Sequence, residues 1–214
     1  MKLLLEREFR KATCDYIFNV PKDRVKNKRR IDELYQDSID VRLLPHNDKL
    51  AGANVSIALR LADRLEINAE KYNKIMSLGL RVAKHLRKDP LYKYNVEVMD
   101  SLRNFLTKEQ LVMILRSKNA VQTVNKAVAT WNEVKAAGLT ENEDSASCTQ
   151  NAIGYLLKEH VINDMFVGHD KVLKKNLTDL RKEQPHIVRM SESIKKKEEL
   201  IRKKEEYEIN EMAW

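Results

Sequence analysis

The sequence predicts an all-α protein: a multi-helix antiparallel bundle, or a set of curved helical hairpins, with an extended charged C-terminal helix. Three observations carry this. Glycine and proline together contribute only 9 of 214 residues, so helix breakers are few, and good helix formers such as Lys, Glu, Leu and Ala are abundant. Apolar residues return every three or four positions along most of the chain, and no stretch alternates with a period of two over a convincing length. Helix start and stop signals separate these periodic stretches. A hydrophobic share of 43% suffices for a core, and aromatics at 6% make that core mostly aliphatic.

Residues 1–38 read as two helices. Leu4, Leu5, Phe9, Ala12, Tyr16 and Ile17 stripe the first; Asn19, Val20 and Pro21 break it, and the second restarts near Lys22. A connector over 39–49 contains Pro45 and the turn formers His46, Asn47 and Asp48. Asn47 or Asp48 caps the next helix, which runs to Leu65 with Ala58, Leu61, Ala62 and Leu65 on one side. Asn68 caps another, with Ile67 and Tyr72 at the spacing of a hydrophobic staple. Its buried face is Tyr72, Ile75, Met76, Val82, Ala83 and Leu86. Gly79 lies on that face; a mid-helix glycine costs about 1 kcal/mol against alanine, and close approach of a second helix would account for it. Asp89 and Pro90 read as the cap and first residue of a helix carrying Leu91, Tyr94, Val98, Leu102 and Phe105.

The clearest joint is at 105–111. Thr107 is a good N-cap, and Gln110, three residues on, can reach back to its backbone N–H as a capping box; Leu106 and Leu111 can close over the turn as a staple. Leu111, Ile114, Leu115, Val121, Val124, Val128 and Trp131 then keep helical spacing to about residue 137, interrupted at Arg116, Ser117, Lys118 and Asn119 by a kink or split. Gly138 stops this helix in a left-handed conformation. Leu139, Thr140 and Glu143 repeat the capping box with Glu in place of Gln, and the segment to Val167 buries Ile153, Leu156, Leu157 and Val161. Gly154 lies within it and Gly168 ends it. A shorter helix with Leu173, Leu177 and Leu180 closes at Gln184 and Pro185. From Ser191 the chain becomes a solvated helix, with Lys and Glu three or four apart and a thin apolar edge of Ile194, Leu200, Ile201, Tyr207, Ile209, Met212 and Trp214. The expected organisation is a helical segment and connector over 1–49, a helical core over 50–185 and a charged C-terminal helix over 186–214.

Net charge is +8, from 40 basic and 32 acidic residues that are largely interleaved, as on a solvated helical surface. The densest basic run carries Arg24, Lys26, Lys28, Arg29 and Arg30. It can grip phosphates, or form the outer face of a helix whose inner face is Ile31, Leu34 and Ile39. The acids Asp32, Glu33, Asp37 and Asp40 that follow favour the second.

No catalytic constellation stands out. The five glycines are spread singly, which leaves no phosphate-cradling loop and no G-x-S-x-G elbow. The best metal candidates are Glu159, His160 and Asp164, with His169 and Asp170; His160 and Asp164 share a helix face. They read as ordinary polar residues at a helix end, since zinc sites gather a tighter ligand set. Cys14 and Cys148 form no C-x-x-C pattern; a single disulfide in an exported protein and two buried free thiols both fit. The expectation is a protein that is not an enzyme, with no catalytic residue, no metal and no cofactor.

The residues Leu106, Thr107 and Gln110 resemble the Leu-Thr-x-x-Gln motif of the Spy/CpxP family, all-helical periplasmic proteins that respond to envelope stress. Partial copies flank it, upstream at Ile67, Asn68, Ala69, Glu70 and Lys71 and downstream at Leu139, Thr140, Glu141, Asn142 and Glu143; the pattern of a helix start followed about forty residues later by Leu-Thr-x-x-Gln covers roughly residues 55–120. The resemblance implies a curved helical cradle, often a homodimer, that binds unfolded or partner proteins without ATP.

The expected function is therefore that of a helical binding protein, chaperone-like or stress-responsive in the cell envelope, whose partner is protein. The alternatives are a basic intracellular helical protein associating with nucleic acid, and an assembly subunit using the 191–214 helix as its contact. No apolar run approaches the ~20 residues that span a membrane, and three leucines near Met1 are too few for a signal peptide core. The expected location is the periplasm where a signal peptide has been removed, and the cytoplasm otherwise.

Overall fold

The computed structural model describes residues 2–18, 21–140 and 143–212, with side chains described except at 18, 21–25, 27 and 205–212. The protein is all-α. Among the described residues ten helices follow one another: α1 (Lys2–Phe18), α2 (Pro21–Leu43), α3 (Asp48–Ala51), α4 (Ala53–Arg60), α5 (Ala69–Lys88), α6 (Asn95–Phe105), α7 (Lys108–Ala136), α8 (Ser145–Met165), α9 (Asp170–Arg181) and α10 (His186–Met212). Among the described residues there is no strand. Contacts divide the chain into two compact units, Met1–Lys118 and Asn119–Trp214, a different division from the hydropathy division at 49 and 185.

In the first unit, α1 and α2 form an antiparallel hairpin. Arg30 reaches Glu8 at 2.5 Å, and Ala12 is fully buried in the seam. Pro21 stands at the first position of α2, where its missing N–H has no intrahelical partner to lose. α2 continues to Leu43, so the expected connector shrinks to the turn before Asn47. Asn47 caps α3 by accepting from the Lys49 N–H at 3.0 Å. The expected single helix to Leu65 is broken at Gly52, whose φ of 85° only glycine adopts freely, and ends at Arg60.

α5 is the centre of this unit and packs against α2, α3, α4 and α6. Asn68 caps it, accepting from the Lys71 N–H at 2.9 Å. Ile75, Met76, Leu78, Leu80, Val82 and Ala83 are buried along it. At Gly79 a Cβ would lie 3.0 Å from Val55 and 3.1 Å from Leu44, so α4 and the turn that follows α2 press onto the bare backbone. The Asp89–Pro90 start is corrected: Asp89 ends α5, its carboxylate accepts from the Leu91 N–H at 2.9 Å, and α6 begins only at Asn95. The Leu91 bond is one an N-cap would make, but here the Tyr92 N–H closes a single turn onto the Asp89 carbonyl at 3.1 Å and no helix follows from Pro90.

α2 is fastened to α5 by charge. Asp37 and Asp40, read from sequence as acids following a solvated run, are buried. Lys84 holds Asp37 at 2.7 Å and Arg87 holds Asp40, with Gln36 donating to Asp40 at 3.1 Å. Burying a carboxylate without such partners would cost several kcal/mol, on the order of the effective desolvation penalty.

In the second unit, α7 and α8 run antiparallel, as Lys126 with Glu159 (3.2 Å) and Asn119 with Asp164 (2.8 Å) show. Ala127, Val134, Ala152, Tyr155, Leu156, Leu180, Ile187 and Val188 form the core, with Trp131, Cys148, Ile153 and Ile194 against it. α7 is continuous through 116–119, where a kink or split was expected, and the boundary between the units falls there instead. α7 ends in a Schellman motif: Gly138 has φ 71°, its N–H donates to the Lys135 carbonyl at 3.0 Å, and the Leu139 N–H donates to Val134 at 3.2 Å.

Candidate functional site

The antiparallel pairing of α1 and α2 leaves its seam open at one end. Leu5 and Phe9 from α1 and Tyr35, Ser38 and Val41 from α2 line a groove of about 180 Å³ there. Lys2, Arg10, Arg42 and Glu6 surround it, so its edge holds three cations and one anion. Tyr35 is 60% exposed, and Leu3, Leu4, Ile17 and Leu43 add further exposed apolar surface to the hairpin. Small-molecule sites are usually about 300–1,000 Å³. A groove of this size accepts one or two side chains of a larger partner rather than a whole ligand. The sequence stripe named most of these α1 residues. It did not reveal that Leu3, Leu4 and Ile17 stay outside, because burial depends on where α2 lies.

The Thr107 joint is a structural tie. The Thr107 N–H donates to the Gln110 side-chain oxygen at 3.0 Å, and the Gln110 N–H donates to the Thr107 hydroxyl at 3.2 Å. The Gln110 amide nitrogen then donates to the Leu65 carbonyl at 2.7 Å. Leu106 and Leu111 are both buried. The Thr140 box is corrected: α8 starts at Ser145, with Asp144 as N-cap accepting from the Ser147 N–H at 2.9 Å. Leu139 is 49% exposed, and the Glu143 carboxylate turns instead to Cys148 and His186.

Those three residues line the larger cleft of the second unit, about 620 Å³, between α8 and the start of α10. Cys148 donates to Glu143 at 3.3 Å, and the His186 ring nitrogen lies 3.4 Å from the other carboxylate oxygen. Burial first, and then the neighbouring Glu143, push the Cys148 thiol above its ordinary pKa. A protonated thiol is a poor nucleophile, so this arrangement does not activate Cys148. Both cysteines are free thiols, and Cys14 is exposed rather than buried.

The metal candidates are spread among structural contacts: Glu159 accepts from Lys126, Asp164 from Asn119, and His169 and Asp170 lie exposed at the start of α9. Among the described residues, no group of three or more His, Cys, Asp and Glu is placed to hold a metal ion. Of the basic run, Lys26, Lys28 and Arg29 are exposed on α2 and Arg30 pairs with Glu8; the side chain of Arg24 lies outside the described residues. Charge is divided unevenly between the units: 25 Lys and Arg against 16 Asp and Glu in Met1–Lys118, and 15 against 16 in Asn119–Trp214. No described helix is long and apolar enough to cross a membrane. No protein-family model matches this chain, and neither a curated protein nor a solved structure does.

Proposed function

We propose that this is a non-enzymatic helical binding protein that holds apolar, acid-bearing segments of other protein chains in the α1–α2 groove. The observation that carries the reading is the open seam itself, apolar along Leu5, Phe9, Tyr35 and Val41 and edged by Lys2, Arg10 and Arg42. An apolar floor favours side chains that a folded partner would hide, and the cations favour segments carrying Asp or Glu. The resemblance of the Thr107 segment to a chaperone-like family points the same way, and with it to the cell envelope.

The test is light scattering of an aggregating client at equimolar ratio. Reduced α-lactalbumin, which is acidic, is protected, and protection weakens as salt rises. Reduced lysozyme, which is basic, is protected less. Tyr35→Glu, at an exposed position where the fold is not at stake, reduces protection several-fold. Absence of protection for either client, or full protection by Tyr35→Glu, removes this reading.

A second reading, association with nucleic acid, draws on the excess of nine positive charges in Met1–Lys118 and on exposed Lys26, Lys28 and Arg29. It requires binding of a short DNA or RNA duplex that falls steeply with salt and is weakened by Lys28→Glu with Arg29→Glu.

A further inference from the structure

Exposed apolar surface occurs in both units, and charge tells the patches apart. On α7, Val121, Val124 and Val128, which hydropathy assigns to the buried face, are 73%, 43% and 44% exposed. Lys126, the single charged residue of 119–132, is already drawn to Glu159 at 3.2 Å, so that stripe has no charge left to select a partner. The α1–α2 groove differs. Leu5, Phe9, Tyr35 and Val41 line it with Lys2, Arg10 and Arg42 at its edge. Among the described residues, none of these three cations holds a carboxylate, whereas Arg30, Lys84 and Arg87 each do.

The chain carries a segment of the matching kind. Residues 205–214 contain Glu205, Glu206, Glu208 and Glu211 and no Lys or Arg, together with Tyr207, Ile209, Met212 and Trp214. Their side chains lie outside the described ones. The ten residues before them hold six bases and two acids, so the sign of the charge reverses at Glu205. Helix stability does not account for the reversal. α10 runs to Met212 with no base in its last turn, and a helix C-terminus is the negative end of the dipole, where carboxylates are unfavourable. Acids set against the dipole suit a cationic surface elsewhere better than they suit α10. We propose that residues 205–214 of this chain occupy the α1–α2 groove, a proposal that rests on the reading of the groove as a surface for apolar, acid-bearing segments and names one such segment.

The groove, about 180 Å³, takes one or two side chains. The segment offers two rings: Tyr207 stands between Glu206 and Glu208, and Trp214 follows Glu211. A ring on the apolar floor brings its neighbouring carboxylates to the cations at the edge. Segments of other proteins then have to displace residues 205–214, which weakens their binding.

Trp131→Phe leaves Trp214 as the single tryptophan, and its fluorescence in the full-length chain tests this. Blue-shifted emission and low quenching by acrylamide are expected. In that background Tyr35→Glu shifts the emission to the red and raises quenching several-fold. Replacing all four glutamates, Glu205→Gln, Glu206→Gln, Glu208→Gln and Glu211→Gln, does the same, as does added salt; Val121→Glu, on α7, changes neither. In a Cys14→Ser, Cys148→Ser background, Ser38→Cys with Ala213→Cys forms a disulfide on oxidation, and Val121→Cys with Ala213→Cys does not. A non-reducing gel reads whether that bond lies within one chain or joins two, and either supports the proposal. Trp214 emission that is red throughout, or blue and indifferent to Tyr35→Glu, overturns it. The two readings fail separately. A solvent-exposed Trp214 in a protein whose client protection falls with Tyr35→Glu removes the segment and keeps the client-binding groove. A Trp214 that Tyr35→Glu releases, in a protein that protects no client, keeps the segment and removes the client.

Discussion

Gln110 accepts one hydrogen bond, from the Thr107 N–H, and donates another, to the Leu65 carbonyl. A glutamate can perform only the first. Thr107→Ala therefore destabilises the protein by about 1 kcal/mol, the usual value of a lost N-cap. Gln110→Glu keeps the reciprocal box and still loses about 1–2 kcal/mol, because the Leu65 carbonyl then faces a carboxylate. Urea denaturation of both variants checks this; an unchanged midpoint for Gln110→Glu would dismiss the tie to Leu65. The two mid-helix glycines make a second pair. Gly79→Ala forces a methyl against Leu44 and Val55, and overpacking outweighs the gain in helix propensity by about 1 kcal/mol. At Gly154 a Cβ meets nothing within 4 Å, so Gly154→Ala stabilises by about 1 kcal/mol. Opposite shifts in the denaturation midpoint are the expected outcome.

Among the elements, α2 and α7 show where hydropathy and packing part company. α2 carries its solvated basic run on the same helix as two buried acids, and Asp37 and Asp40 meet Lys84 and Arg87, which lie 47 residues away in sequence. Arg87→Ala leaves Asp40 with Gln36 alone. The partial exposure of Arg87 moderates the loss to roughly 2 kcal/mol, measurable by thermal or urea unfolding; a change within error would mean that water replaces the guanidinium at no cost. α7 buries Leu111, Ile114 and Leu115 in the first unit and Asn119, Thr123, Ala127, Thr130 and Val134 in the second. These sets do not lie on one stripe. A reading that carries one apolar face along the whole helix must fail after Lys118, where the buried positions become mostly small or polar.

For the molecule as a whole, what was legible in the sequence is what neighbouring residues decide among themselves. The all-α class, the caps at Asn68 and Thr107 and the stop at Gly138 depend on bonds between residues at most five apart. The failures have the same origin. Asp89 and Thr140 carry capping chemistry, but Asp89 is engaged in the turn after α5, and Asp144, closer to the start of α8, takes the place expected of Thr140. The α1–α2 groove was only half visible, because its α1 stripe could be read while its open end could not. The concentration of positive charge in Met1–Lys118 became meaningful only once the boundary of the units was known.

By itself, the sequence determined that this chain is helical and where several of its helices begin and end, since capping and propensity act over about one turn. Only the tertiary structure decided which acids lie inside, which valines lie outside and which end of a helix pair stays open. Burial is set by chain segments tens of residues away, and no local pattern records where they come to rest.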